Sequence, residues 1–357
     1  MLPASKQNRE GRYDVTKRMA KSILVFSCIA LLAFAGMASG SRQTGVTAPG
    51  QPTSGPGGAD DLFPSVASAT YGNGADKVYV FTPQPSPTAA PLVIFTHGWG
   101  AIYPTTYGAW IDHLVRHEGA IVIYPVYQDN LRTPPAEMLP NAVTGIKTAL
   151  DHLRSGDLAV KPDETHVTYV GHSMGAVLAA NLAATAARSG LPTPKAVVAD
   201  QPGKTWGPQA MQIALADLGQ IPAGTLLLAI AGDSDRIVGD TDAKRIFNES
   251  TAIPAADKDF VTMVSDSHGT PAILANHQAP VSRMPIGAIS VMRPGVQPGP
   301  PPGPLDYFGI WKLCDALCDA AWYGKNREYA LGGTPQQTYM GEWSDGEPVA
   351  RLLVKAP

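Results

Sequence analysis

The sequence predicts an α/β fold, with a mostly parallel central sheet covered by helices on both faces. Short apolar runs alternate with longer segments that carry apolar residues at helical spacing. Most of the short runs are continuously apolar, as expected for strands that are buried on both faces. Strands that alternate with helices imply parallel pairing, because each helix carries the chain back across the sheet.

The first part of the predicted sheet comes from three strands and one helix. Residues 77–82 alternate between apolar and polar side chains, whereas residues 91–96 and 120–126 are continuously apolar. Between the last two strands, residues 107–119 have apolar side chains at helical spacing and end at a glycine, which commonly stops a helix.

The middle of the chain predicts a helix, a strand and a second helix. The first helix spans residues 138–156, becomes regular after Pro140 and stops at a glycine. Residues 165–170 form an apolar strand. The alanine-rich segment 176–190 follows as a helix that also ends at a glycine.

The remaining elements continue the alternation. Residues 195–200 and 224–232 are apolar runs that predict buried strands. A short helix at 242–250 leads to the last strand, 259–265. A helix is then predicted at 270–277, because a threonine in the capping position is followed by a proline in the first turn.

The composition outside these elements predicts the domain organisation. Residues 41–60 are rich in glycine, proline, serine and threonine, as in a flexible linker. We expect a single folded domain over residues 61–357. A proline-rich stretch at 293–304 separates its body from a C-terminal helical extension, from about residue 305, that packs on the body or covers the site.

Residues 1–40 have the pattern of a secretory signal peptide, with Met19 as an alternative start. Six basic and two acidic residues precede or flank an uncharged apolar run at 23–36, and small residues follow. Cleavage is expected after Ala35 or Gly40, which predicts a secreted or periplasmic protein. The run is shorter than the ~20 residues that span a bilayer, so membrane contact is expected only if this segment stays uncleaved.

Composition also limits the partners and the cysteine chemistry. Residues beyond 40 carry a net charge of −7 and no basic run, which argues against a nucleic-acid partner. Cys28 lies in the apolar run. Cys314 and Cys318 could form a disulfide, as pairs of cysteines in exported proteins commonly do. Their spacing would strain a bridge within a regular helix, so two buried thiols are the alternative.

A candidate nucleophile lies between the strand 165–170 and the helix 176–190. Residues 171–175 read GHSMG, a G-x-S-x-G motif that is weak by itself in a glycine-rich chain. The motif becomes specific for a nucleophile when a strand enters it and a helix leaves it, because the serine then projects above the carboxyl edge of the sheet. The sequence therefore predicts Ser173 as a nucleophile.

A serine hydroxyl needs a base to accept its proton. Two histidines follow Ser173 in the sequence. His268 lies in the loop after the last predicted strand, whereas His277 lies inside the predicted final helix, where a solvated or packed ring is the simpler interpretation. The sequence predicts His268 as the base.

The base needs a carboxylate that orients it. Asp233 and Asp235 follow the predicted strand 224–232, and Asp200 ends the strand 195–200. We predict that Asp235 is the acid, with the other two as alternatives, each of which could instead form a turn with its own backbone.

Two N–H groups must stabilise the oxyanion of an acyl-transfer reaction. The residue after the nucleophile supplies one donor, which assigns the backbone of Met174. The loop after the strand 91–96 reads HGWG and supplies the other. Trp99 is the predicted donor there, with Gly98 and Gly100 as alternatives.

Four motifs in this order resemble the α/β-hydrolase superfamily: HGWG at 97–100, GHSMG at 171–175, GDSDRIV at 232–238 and SDSHG at 265–269. The resemblance covers about residues 75–280. Within the superfamily the chain is most similar to secreted bacterial esterases of the cutinase, dienelactone-hydrolase and platelet-activating-factor-acetylhydrolase neighbourhood. Ala176 departs from the pattern, since many relatives have a second glycine there.

The resemblance implies a secreted enzyme that cleaves a small or polymeric carboxylic ester through an acyl-enzyme, with no metal and no organic cofactor. An acyltransferase or an amidase would use the same triad. A non-catalytic binding protein on the same fold is the alternative from a different class. Gly98, Tyr103 and Trp206 are predicted to line the substrate site, because they lie on loops at its expected rim.

Overall fold

A nine-stranded sheet forms the centre of the computed structural model, which describes residues 45–205, 207–290 and 299–355. Gly45–Pro357 belong to one compact unit. The predictions for residues 1–40, including Met19 and Cys28, and for Trp206 lie outside the described residues. None of the helices in the described ranges has both the length and the apolar character needed to cross a membrane.

The sheet is mixed at its edges and parallel in its centre. Its strand order is β1-β2-β4-β3-β5-β6-β7-β8-β9; the six strands from β4 to β8 run parallel, and β1, β2 and β9 pair antiparallel. The strands are β1 Ser65–Tyr71, β2 Val78–Gln84, β3 Ala89–Thr96, β4 Ile121–Pro125, β5 Lys161–His172, β6 Ala196–Asp200, β7 Leu226–Gly232, β8 Lys258–Met263 and β9 Leu353–Lys355.

Helices cover both faces of the sheet. The helices are α1 Gly108–Arg116, α2 Pro135–Ser155, α3 Met174–Ser189, α4 Thr241–Glu249, α5 Lys312–Tyr323 and α6 Pro335–Thr338. One buried apolar cluster joins α2, α3 and α4 to one face, and a second joins α1 and α5 to the other. The predicted fold class, a mostly parallel sheet between two helical layers, is confirmed.

The C-terminal segment is part of the fold. A π-helical stretch at Leu305–Trp311 leads into α5, which packs against β5, β6 and β7. Leu313 and Leu317 of α5 are fully buried there. The chain then returns as β9 beside β8. This segment therefore supplies a helix of the second layer, which packs on the body, and an edge strand that its sequence pattern did not predict.

Cys314 and Cys318 lie on the buried face of α5 as free thiols. Their side chains are fully buried, and the Cys318 thiol donates to Thr168 Oγ1 on β5. Of the two predicted alternatives, the structure has the pair of buried thiols.

The described part of the predicted linker lies against the body. Thr270 donates its N–H to Val46 O, and Ser344 donates its N–H to Thr47 O. Gly57 is buried and donates its N–H to a carboxylate oxygen of Asp315 on α5. The prediction of a flexible linker over 41–60 is thus wrong for residues 45–60, because their backbone groups find partners in the C-terminal half of the chain.

Two glycines of this segment allow a matched test of its docking. Gly55 and Gly57 both have positive φ, but a Cβ at Gly57 would lie 1.9 Å from Tyr307 O, whereas a Cβ at Gly55 would meet nothing within 4 Å. Gly55→Ala carries only the conformational strain, about 1 kcal/mol. We expect Gly57→Ala to lower Tm by more than Gly55→Ala does, and to make residues 45–60 sensitive to limited proteolysis. Equal effects of the two substitutions would show that the segment does not depend on this contact.

Candidate active site

The candidate nucleophile lies on a sharp turn between β5 and α3. Ser173 has φ 58° and ψ −124°, a backbone conformation that side chains other than glycine rarely adopt. A Cβ at Gly175 would lie 2.1 Å from Thr96 O, and a Cβ at Gly171 would lie 2.2 Å from Gly175 O. Both glycines of the motif are therefore required by close backbone approach, which lets the turn sit on the end of β3.

Ser173, His277 and Asp235 form a hydrogen-bonded chain. His277 Nε2 lies 2.9 Å from Ser173 Oγ, and His277 Nδ1 lies 2.7 Å from Asp235 Oδ2. A carboxylate only accepts, so Nδ1 carries the proton and Nε2 is left to accept from the serine hydroxyl. This is the arrangement in which an imidazole can remove the proton of an attacking serine.

The carboxylate of Asp235 is held in its ionised form. Its side chain is fully buried, and its second oxygen accepts the backbone N–H of Ile237 at 2.9 Å and of Val238 at 3.0 Å. Burial by itself would raise the pKa of Asp235, but the hydrogen bond and charge of His277 and these two amides outweigh it and lower that pKa. The predicted acid is thus placed and charged to orient His277.

The predicted base, His268, lies elsewhere. Its ring is about two-fifths exposed, and its Nε2 lies 2.8 Å from Asp345 Oδ2 at the protein surface. The structure brings His277, not His268, to Ser173, so the prediction of His268 as the partner of the serine is corrected. The pairing with Asp345 raises the pKa of His268, which fits a surface ion pair.

The error follows from the segment 270–277, which is not a helix. Asp266 and Ile273 exchange two backbone hydrogen bonds, so the chain makes a short excursion after β8 and returns. The excursion is attached to the C-terminal segment, since Asp266 Oδ2 accepts from Trp343 Nε1 and from the N–H of Ala350. His268 lies within the excursion and His277 follows it.

Other parts of the chain satisfy the backbone of residues 275–277 in place of helical hydrogen bonds. Ser265 Oγ accepts the N–H of Ala275, and Gln201 Nε2 donates to Asn276 O. His172 Nε2 lies 3.1 Å from His277 O. These tertiary partners fix His277 in front of Ser173, and local sequence pattern could not reveal them.

Of the three candidate donors in the loop after β3, one N–H group remains available within the described residues. Gly98 N–H donates to Tyr107 Oη, and Gly100 N–H donates to Gln128 Oε1, each at 2.9 Å. Within the described ranges, the N–H groups of Trp99 and Met174 donate to no acceptor. The two alternatives to Trp99 are therefore occupied, and Trp99 with Met174 is the pair that can receive an oxyanion.

A buried hydrogen-bond chain links this loop to His277. Tyr107 Oη accepts from Gly98 N–H and lies 2.9 Å from His172 Nδ1. His172 Nε2 faces the carbonyl of His277, so Nε2 carries the proton and Nδ1 accepts from the tyrosine. Burial, and then the neighbouring His277, lower the pKa of His172 well below its ordinary value, which keeps this tautomer neutral. The chain couples the position of the oxyanion loop to that of His277.

The two alternative acids have other surroundings. Asp233 accepts from the N–H and the hydroxyl of Ser265 and so ties the end of β7 to the loop after β8. Asp200 is fully buried, and neither of its carboxylate oxygens has a hydrogen-bond partner in the part of the chain that the structure describes. Within the described residues, neither carboxylate forms a hydrogen bond with the ring of His277.

The structure describes two of the three predicted substrate-site residues, Gly98 and Tyr103. A Cβ at Gly98 would lie 3.3 Å from Ser173 Cβ, so the backbone of Gly98 borders the nucleophile. Tyr103 is half-buried and precedes the short helical turn at Pro104–Tyr107. The structure does not describe Trp206.

Comparison with known proteins agrees with this architecture. A family model described as "alpha/beta hydrolase fold" matches residues 93–225. The chain has the α/β-hydrolase fold. The matched residues include the HGWG loop and the serine turn and end before the acid and the histidine. A search of curated proteins found none that matches this chain. The predicted resemblance to the superfamily is confirmed, and the narrower similarity to secreted esterases stays a prediction.

Asp200 provides a stability prediction that separates it from Asp235. Burial, and then the charges of Asp235 and Asp306, raise the pKa of Asp200 well above its ordinary value. The folded protein keeps a proton that the unfolded chain releases above about pH 4, so this group makes the free energy of unfolding fall as the pH rises from there. We expect the Tm of Asp200→Asn, relative to that of the unsubstituted protein, to increase between pH 4 and pH 7.

Thermal unfolding at both pH values measures this effect. The turnover of Asp200→Asn should stay within about threefold of that of the unsubstituted protein. Asp235→Asn should lose its turnover. A constant Tm difference across this pH range would show that Asp200 is ionised in the folded state.

Proposed function

We propose that this hydrolase cleaves carboxylic esters through an acyl-enzyme formed on Ser173. The observation that carries the proposal is the pair of short contacts from His277, at 2.9 Å to Ser173 Oγ and 2.7 Å to Asp235 Oδ2. The coarser assignment, a hydrolase of this fold, agrees with the family match.

In the first half-reaction Ser173 Oγ attacks the carbonyl carbon of the ester while its proton passes to His277 Nε2. The carbonyl oxygen becomes an oxyanion, and the free N–H groups of Trp99 and Met174 donate to it. The carbon–oxygen bond to the leaving alcohol then breaks, and His277 returns the proton to that alcohol. The negative charge of Asp235 stabilises the imidazolium that forms in between.

In the second half-reaction water attacks the acyl-enzyme, again with His277 as base. The ester bond to Ser173 breaks, the serine regains its proton, and the carboxylic acid leaves. The strained backbone of Ser173 supports both steps, because it holds Oγ on a sharp turn and leaves the N–H of Met174 free to donate to the carbonyl oxygen.

Exposed apolar side chains favour an apolar acyl or alcohol group in the substrate. Trp99, Leu131, Ile237 and Leu274 are between 42% and 57% exposed. They lie on the loops that follow β3, β4, β7 and β8, at the carboxyl edge where the triad lies. Exposed apolar residues gathered at one edge of a protein are typical of a binding surface.

The export of this hydrolase is part of the same proposal and rests on the sequence of residues 1–40 alone. Their basic start, apolar run and small residues are the pattern of a cleaved secretory signal. An extracellular or periplasmic hydrolase would meet ester substrates outside the cytoplasm, including polymeric ones.

Two matched histidine variants and one chemical probe test the mechanism. We expect His277→Gln to lower kcat for a chromogenic ester by about 10⁴-fold or more, because the proton acceptor is lost. His268→Gln should change kcat by less than about twofold, because that ring pairs with Asp345 at the surface. A serine-directed phosphonate should label the unsubstituted hydrolase once, at Ser173, and should leave Ser173→Ala unlabelled.

Turnover of the ester by Ser173→Ala at the normal rate would exclude this mechanism, and a larger loss in His268→Gln than in His277→Gln would reverse the assignment of the base. Added alcohol and a matched amide extend the assay. Faster acyl transfer to the alcohol than to water would identify a transferase, and preferred cleavage of the amide would identify an amidase. Absence of phosphonate labelling, together with no turnover of any ester or amide, would support a binding protein.

The apolar rim predicts how activity depends on chain length. Ile237 follows the triad acid by two residues and is 57% exposed, whereas Leu353 on the edge strand β9 is 62% exposed and lies in the C-terminal segment. Ile237→Ser should lower kcat/KM about tenfold for a long-chain ester, roughly the effect of two buried methylene groups, and should change it little for an acetyl ester. Leu353→Ser is the control and should not alter the ratio. Equal losses on both esters in Ile237→Ser would argue against an apolar contact there.

A further inference from the structure

A second cluster of ionisable side chains lies away from the triad, between α1 and α5. His113 is on α1, His117 and Glu118 follow its last residue, and Asp315 is on α5. We call these four residues the α1–α5 cluster. Tyr107, which contacts the oxyanion loop, precedes α1, so His117 lies about 15 Å further along the helix axis.

The cluster has two adjacent buried carboxylates with little compensating charge. The side chains of Asp315 and Glu118 are 0% and 5% exposed. In the described part of the chain, their ion-pair partners are His113 and His117, while the nearby Arg116 pairs with Asp61 and Asp112. Two buried anions so close together are unfavourable unless a cation neutralises them.

The separations around His117 suit a shared ion better than they suit hydrogen bonds. His117 Nε2 lies 3.7 Å from Glu118 Oε1 and 3.9 Å from Oδ2 of the Asp315 carboxylate, whose other oxygen, Oδ1, is the one left for a metal ion. Two donors bound tetrahedrally at about 2.1 Å from one metal ion lie about 3.4 Å apart. The donor atoms of His117, Glu118 and Asp315 all lie within 4.8 Å of one another.

One carboxylate oxygen of Asp315 accepts hydrogen bonds, and the other has no partner among the described residues. Its Oδ2 accepts from Gly57 N–H at 2.8 Å and from His113 Nε2 at 2.7 Å. Its Oδ1 is buried and has no hydrogen-bond partner within the described residues. A ligating carboxylate in proteins is typically oriented in this way, with one oxygen held by hydrogen bonds and the other on the metal.

We propose that His117, Glu118 and Asp315 bind a divalent metal ion of the Zn²⁺ class, with His113 and Gly57 holding Asp315 in place. One imidazole with two carboxylates suits Zn²⁺ better than Mg²⁺, which prefers oxygen ligands and retained water. The carboxylate of Asp61, whose donor atom lies within 4.8 Å of those of His113 and His117, or a water completes the coordination.

The ion has a structural role, because its ligands join segments that are distant in the sequence. Asp315 belongs to the C-terminal segment, His117 and Glu118 follow α1, and Gly57 belongs to the segment before β1. Binding only to the folded state would stabilise all three contacts together.

Zinc titration of chelated and dialysed hydrolase tests the proposal directly. We expect one equivalent of Zn²⁺ to bind, seen by calorimetry and by elemental analysis after gel filtration. Zn²⁺ at about 100 times its Kd should lower the ratio of unfolded to folded protein about 100-fold and raise Tm. Mg²⁺ at the same concentration should leave Tm unchanged.

Glu118→Gln and His117→Gln should abolish both the uptake and the rise in Tm. Glu118→Gln also removes one of two adjacent buried negative charges, so the chelated variant should be at least as stable as the chelated unsubstituted chain, and its folding can be verified. His152→Gln is the matched control, since His152 pairs with Asp157 at 2.6 Å on the exposed end of α2. It should bind Zn²⁺ normally. Absence of Zn²⁺ uptake by the unsubstituted hydrolase, or full uptake by Glu118→Gln and His117→Gln, would overturn the proposal.

Discussion

The contact between the serine turn and the end of β3 is the constraint on which the active site depends. The backbone of Gly175 lies so close to Thr96 O that no side chain fits between them. Thr96 Oγ1 also donates to Gly175 O at 2.7 Å, which fixes the first turn of α3 on the sheet. This approach places Ser173 beside Gly98 and thereby brings the nucleophile and the oxyanion loop together. It also forces Ser173 into its unusual backbone conformation, which the surrounding sheet stabilises.

A second level of organisation is polar and buried. The chain from Gly98 through Tyr107 and His172 reaches the carbonyl of His277, so one set of hydrogen bonds joins the loop after β3 to the loop after β8. Each group in the chain has a fixed role as donor or acceptor, because a carbonyl at one end and an amide at the other leave a single consistent arrangement. The site is therefore preorganised by residues that do not touch the substrate.

The parts of the structure that local pattern controls were predictable from the sequence. The parallel strands are continuous apolar runs. The glycine spacing around Ser173 indicates that backbone segments pack closely there, as a strand–turn–helix requires. Asp235 was predictable for a similar reason, since it directly follows a buried strand. His277 was not, because the segment 270–277 has helix-like signals and its backbone is satisfied by Ser265, Gln201 and His172 from elsewhere in the chain. The edge strands β1 and β9 were also missed, since their side chains are mostly exposed or half-buried and carry no apolar run.

The attachment of the excursion after β8 to residues 343–350 has a consequence for biosynthesis. Asp266 accepts from Trp343 and Ala350, and a Cβ at Gly269 would overlap the Trp343 ring, so these later residues hold the stretch of chain that leads to His277. A ribosome synthesises them after all three members of the triad. A nascent chain that already contains Ser173, Asp235 and His277 therefore lacks the support that positions the histidine. The arrangement of Ser173, His277 and Asp235 is therefore complete only when this late segment has docked, after synthesis has passed residue 350.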